Sequence, residues 1–201
     1  MDNSHASTRQ PEADKNVKRR VPRSIFGIIL VCFAALYWYA AYGDTPAPEK
    51  TVKNFYQAYF NRNFDVVAQN LSVFWSVRFL PDDYANMAPA ELIENRPQIE
   101  EQIAAVIADI EKDTEIPQGV TVNIMKDYTK IGQKSAVVVY SFMENGKETG
   151  MEAAILIMEK GQFRIFNMSP IDETILGQVK DLDINRIDEN FTELLNSPQS
   201  E

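Results

Sequence analysis

SAVVVYSFMENGKETGMEAAILIMEKGQFRIFNM, residues 135–168, is the stretch that decides how this chain folds. Short apolar runs, Ala136–Tyr140 and Ala153–Met158, lie on both sides of Asn145-Gly146, and these two residues tolerate the positive φ that a two-residue type I′ turn requires. A hairpin centred there sets Phe142 opposite Thr149, Tyr140 opposite Met151, Val138 opposite Ala153 and Ala136 opposite Ile155. Glu159-Lys160-Gly161-Gln162 turns the next hairpin. Strands are predicted over 120–128, 135–143, 150–159 and 163–168.

Upstream the apolar period is helical. Val52, Phe55, Tyr56, Tyr59 and Phe60 fall on one face of a helix that Pro48 and Glu49 open. Asn61-Arg62-Asn63 breaks it, and Asp65 is placed to cap a second short helix with Val66, Val67 and Leu71 facing inward. Residues 72–80 are rich in Val, Phe and Trp and are predicted as a strand, closed by a turn at Pro81-Asp82-Asp83. Pro89 opens a further helical stretch, interrupted at Pro97, in which Ile99, Ile103, Val106, Ile107 and Ile110 form the strongest helical pattern of the chain. Helices first and an antiparallel meander afterwards predict an α+β domain over 44–171, with the helices packed on one face of a curved antiparallel sheet. Residues 172–201 are predicted as an acidic tail, partly helical. Its sparse stripe of Val179, Leu182, Ile187, Phe191, Leu194 and Leu195 suits partner capture more than folding; the alternative is that Phe191 and Leu194 dock on the domain and complete its core.

The N-terminal quarter is built differently. Residues 25–42 read IFGIILVCFAALYWYAAY, and no charge occurs between Arg23 and Asp44. At about 1.5 Å per residue, a helix over 24–43 is long enough for about 30 Å of hydrocarbon. Lys18, Arg19, Arg20 and Arg23 precede it, and Tyr37, Trp38, Tyr39 and Tyr42 crowd its far end. The expectation is an uncleaved, single-pass signal-anchor in the cell membrane, with 1–23 as a basic cytoplasmic tail and the C-terminal domain extracytoplasmic. Cleavage after Gly43 is the alternative, since Ala41-Tyr42-Gly43 has small residues at a signal-peptidase spacing. The lipid bilayer, through 25–42, is then the first expected partner.

Composition narrows the function. The formal net charge is −9, although 1–23 is basic, so the remainder is strongly acidic and repels phosphate backbones; no nucleic-acid partner is expected. The one cysteine, Cys32, lies in the apolar run, and the one histidine, His5, in the tail. The domain therefore has no disulfide, no thiolate or imidazole metal site and no histidine base, and no cofactor is expected.

FYQAYFNRNFDVVAQNLS, residues 55–72, resembles the helix–turn–helix opening of the nuclear transport factor 2-like (cystatin-like) superfamily, and MEAAILIMEKGQFRIFNMSPI, residues 151–171, resembles its closing hairpin. The resemblance spans about residues 48–171. It implies a cone, a bent sheet wrapped around helices with a pocket in its mouth. The superfamily includes enzymes and many domains without activity, so the fold does not name a function. In its isomerase branch a tyrosine on the first helix donates to an oxyanion, and Tyr56 falls where that tyrosine would. Asp82, Asp83 and Asp127 are the available acids, and none matches the family's motif. Tail, anchor and such a domain together also resemble the bitopic scaffold subunit of type IV secretion and conjugation machines.

These readings converge on a non-enzymatic domain of a bacterial-type envelope that binds a protein partner or self-associates. A sensor or carrier for a small apolar ligand is the alternative, and an isomerase-like enzyme the third. If the cone holds a ligand, Tyr56, Tyr59, Phe74, Trp75 and Tyr140 are the candidate binding residues; the competing role for each is an aromatic that fills the core.

Overall fold

The computed structural model describes residues 30–33, 47–80, 84, 86–116 and 119–196. The chain divides into a unit of Met1–Asp44 and a unit of Thr45–Glu201. The expected membrane-spanning helix requires correction, because no helix among the described residues is long and apolar enough to cross a membrane. Of the stretch 24–43 only 30–33 are described, as helix. The rest of that stretch and the basic tail lie outside the described residues.

The second unit is α+β. Helix α1 (Ala47–Phe60) begins at Pro48 and Glu49, as the sequence implies. Arg62 ends it in the left-handed region, at φ 55°, and Asn63, not Asp65, caps α2 (Phe64–Asn70) by accepting from the Val66 N–H. The predicted strand over 72–80 is a helix instead. Ser72 accepts from the Phe74 N–H and starts α3 (Val73–Ser76), which runs on as a 3₁₀ turn, Val77–Phe79. The cap outweighs the β-propensity of Val73, Phe74 and Trp75 because that propensity reflects packing on a sheet surface, which this segment does not have. Helices α4 (Pro89–Glu94) and α5 (Arg96–Ile110) meet at Asn95, close to the expected interruption.

The sheet holds β1 (Val120–Ile124), β2 (Lys130–Ile131), β3 (Ser135–Glu144), β4 (Lys147–Glu159) and β5 (Gln162–Ile171), all antiparallel, in the order β1-β3-β4-β5 with β2 also on β3. Both hairpins close on the expected two residues, Asn145-Gly146 and Lys160-Gly161, all at positive φ. The register of the first holds only near its turn. Glu144 faces Lys147 and Met143 faces Glu148, but Phe142 faces Gly150, so Thr149 is an extra residue. Its hydroxyl donates to the Phe142 carbonyl at 3.3 Å. Beyond this bulge every partner moves by one, and Tyr140 faces Glu152 where Met151 is expected. A second bulge sets Phe166 between the Ile165 and Asn167 pairings. Bulges bend the strands that carry them, and these two curve the sheet around α1.

Alternation along β3 divides the core. Ala136, Val138 and Tyr140 pack with Val52, Phe55, Tyr56, Leu71 and Leu156 on the helical side. Val137 and Val139 point the other way. That second face is not open, and here the expected one-sided packing and free acidic tail differ from the structure. Helices α6 (Glu173–Lys180) and α7 (Ile184–Asn196) cover it, with Val179 against Val137 and Val139 and with Phe191 edge-on to Phe166 at 4.8 Å. Asp188 of α7 fastens the layer. It accepts from the Gln133 N–H (2.6 Å), the Lys134 N–H (3.0 Å) and the Ser135 hydroxyl (2.6 Å). Desolvation opposes its charge, but those bonds prevail and hold its pKa below the usual carboxylate value. Gly132 leaves the room required, since a Cβ there would lie 2.5 Å from the Asp188 carboxylate.

Candidate functional site

Two places on the helical face of the sheet bring polar side chains to the wall of a cleft or cavity. The first lies under α1. The Tyr56 hydroxyl donates to Glu152 Oε2 at 2.7 Å, the Tyr140 hydroxyl donates to the same oxygen at 2.8 Å, and the two hydroxyls are 2.9 Å apart. Tyr140 is 0% exposed, and Phe142 meets both rings edge-on. The pKa values of both tyrosines are pushed well above the ordinary phenol value. Burial is the largest cause in each; the Glu152 charge acts the same way, while the neighbouring Tyr140 hydroxyl partly offsets it at Tyr56.

Each hydroxyl has one proton, and Glu152 accepts both. Neither tyrosine then has a proton left for an oxyanion, so the cluster is closed by its own hydrogen bonds. The carboxylate beside Tyr56 is Glu152. Asp127 sits on an exposed 3₁₀ turn, and Asp82 and Asp83 lie outside the described residues. Tyr56 also lines a cleft of about 320 Å³ between α1 and β1, together with Lys53, Gln57 and Val122.

The second place is an apolar cavity of about 270 Å³ where α1, α2, α3 and α5 converge on β5. Phe55, Tyr59, Trp75, Ile103, Ile107 and Met168 line it. Phe79, 49% exposed, and Ile110, 63% exposed, also border it. One ionisable group joins them. Glu111 follows α5 and borders the cavity, and its Oε2 is out of solvent's reach without a hydrogen-bond partner among the described residues. Tyr59 has its pKa raised, first by burial and then by its contact with the Glu111 carboxylate. The Arg62 guanidinium is near but donates to the Glu111 and Thr114 carbonyls.

The five candidate binding residues separate accordingly. Tyr56 and Tyr140 meet at Glu152, and Tyr59 and Trp75 line the apolar cavity. Phe74 belongs to neither, and packs with Val73, Tyr84, Leu92 and Ile99. The sequence reading missed both carboxylates, although each had a signal. Glu152 shares strand parity with Ala154 and Leu156, and Glu111 follows Ile103 and Ile107 at successive steps of four on one helix face. Among the described residues no group of three His, Cys, Asp or Glu side chains is placed to hold a metal ion. No family model matches this sequence, and no curated protein matches it.

Proposed function

We propose that this domain binds a small apolar ligand in the cavity between its helices and β5, and that it is not an enzyme. The cavity itself carries this reading. The space of about 270 Å³ opens to solvent beside Phe79 and Ile110, and its walls are almost wholly apolar. Water against such walls is unfavourable, and a ligand that covers them removes that apolar surface from solvent. The resemblance to the nuclear transport factor 2-like superfamily, whose cones hold a pocket, supports the same reading.

Two observations weigh against the rival readings. The tyrosine protons that an isomerase would use are committed to Glu152. Helices α6 and α7, which the sequence offers as an arm for a protein partner, are packed on the domain's own sheet. Calorimetric titration of the full chain with octanol, a body of about nine non-hydrogen atoms, tests the proposal. Ile107→Trp fills the cavity and is expected to weaken octanol binding at least about tenfold. Equal affinity in parent and variant, or no binding to the parent, would overturn it.

A further inference from the structure

The carboxylate beside the cavity specifies more than an apolar ligand. This inference rests on the cavity reading above and adds the head group. Glu111 Oε2 is shielded from solvent, borders a space otherwise lined by aromatic and aliphatic side chains, and accepts no hydrogen bond from the described residues. A desolvated carboxylate oxygen without a donor is unfavourable, and the deficit is removed by any donor brought into the cavity. Nearby groups do not remove it. The Arg62 guanidinium gives two of its five N–H donors to the Glu111 and Thr114 backbone carbonyls and none to Oε2. The Tyr59 hydroxyl donates a hydrogen bond to the Glu111 carboxylate, and Oε2 remains the oxygen without a partner.

We infer that the ligand is a cationic amphiphile, a compact apolar body carrying a protonated amine that pairs with Glu111. The body fills the space between Phe55, Trp75, Ile107 and Met168, and the ammonium meets Oε2 beside Tyr59. A cation suits this place better than a neutral donor, because a charge-assisted hydrogen bond in low dielectric exceeds a neutral one. An anionic amphiphile of the same shape would bring its charge against Glu111 and be excluded.

The test uses one body with three heads. The full chain is titrated calorimetrically with octylammonium, octanol and octanoate at neutral pH, and the series is repeated on Glu111→Gln. Octylammonium is expected to bind the parent at least about tenfold more tightly than octanol, with octanoate weakest. In Glu111→Gln, which keeps the side chain's shape, the ammonium-to-octanol affinity ratio is expected to fall to within about twofold. An unaltered ammonium-to-octanol ratio in Glu111→Gln overturns the head-group inference but leaves the cavity reading intact. Octanol binding that Ile107→Trp does not weaken overturns the cavity reading, and this inference with it.

Discussion

Glu152→Ala is the substitution that best measures what the tyrosine cluster does. It removes the one oxygen on which the Tyr56 and Tyr140 hydroxyls converge, at 2.7 and 2.8 Å. A hydrogen bond to a charged group contributes about 1.5–3 kcal/mol, so two bonds are lost. The hydroxyls, 2.9 Å apart, then bond to each other and recover about 1 kcal/mol, with one donor left unsatisfied. The half-buried carboxylate no longer needs desolvation, which lowers the loss further. The expected destabilisation is about 3 kcal/mol, or about 6–12 °C in Tm for a domain of this size. Tyr56→Phe removes only one donor and leaves Tyr140 satisfied, so about half that loss is expected. Thermal melts followed by near-ultraviolet circular dichroism compare the three proteins. The reasoning is refuted if Glu152→Ala melts with the parent, or if Tyr56→Phe costs more than Glu152→Ala. A Tyr56→Phe variant that melts normally but loses its cellular function would restore the enzymatic reading.

The same cluster predicts an alkaline limit. A tyrosine whose pKa is raised on folding keeps its proton after the unfolded chain has lost it, so its contribution is intact below about pH 10 and declines above it. Two such groups lower stability by roughly 2–3 kcal/mol per pH unit above that point, and urea titrations of the parent should show a steeper decline there than Tyr56→Phe/Tyr140→Phe. Removing everything after Ile171 uncovers Val137 and Val139, each buried beneath α6 and α7, at about 1.5–3 kcal/mol apiece before Phe191 is counted. The truncated chain should show no cooperative melt, and a midpoint within a few degrees of the parent would show that the third layer is dispensable. Glu159, 2% exposed, accepts from the Ser72 hydroxyl at 2.6 Å and pairs with Arg96. Glu159→Ala takes the acceptor from the Ser72 hydroxyl and one of two carboxylates from Arg96, which keeps Glu100 at 2.5 Å, and should cost about 2–3 kcal/mol, whereas Arg96→Met/Glu159→Leu should cost less than the single change; equal losses would count against a buried pair.

The features legible in the sequence depend on neighbours along the chain. Asn145-Gly146 and Lys160-Gly161 specify their turns because the turn geometry requires positive φ at those residues and few others adopt it cheaply. The faces of α1 and α5, and the α+β order, follow from periodicity, which is also local. Ser72 was a local signal that the β-rich composition of 73–79 obscured.

Tertiary structure decided the rest, because each remaining feature depends on atoms far apart in sequence. The Thr149 bulge moves the pairing by one residue, and with period-two alternation that shift exchanges Met151 for Glu152 opposite Tyr140. No pattern within 147–159 specifies it; it suits a sheet that must bend around α1. The acidic composition of 172–201 suggests a solvated tail, yet Asp188 finds three donors at the 133–135 turn, and Val179 and Phe191 find the uncovered face of the sheet. Glu111 is an ordinary polar residue at a helix end by sequence. Only the convergence of four helices and β5 around an unfilled space makes its carboxylate oxygen a group that lacks a partner.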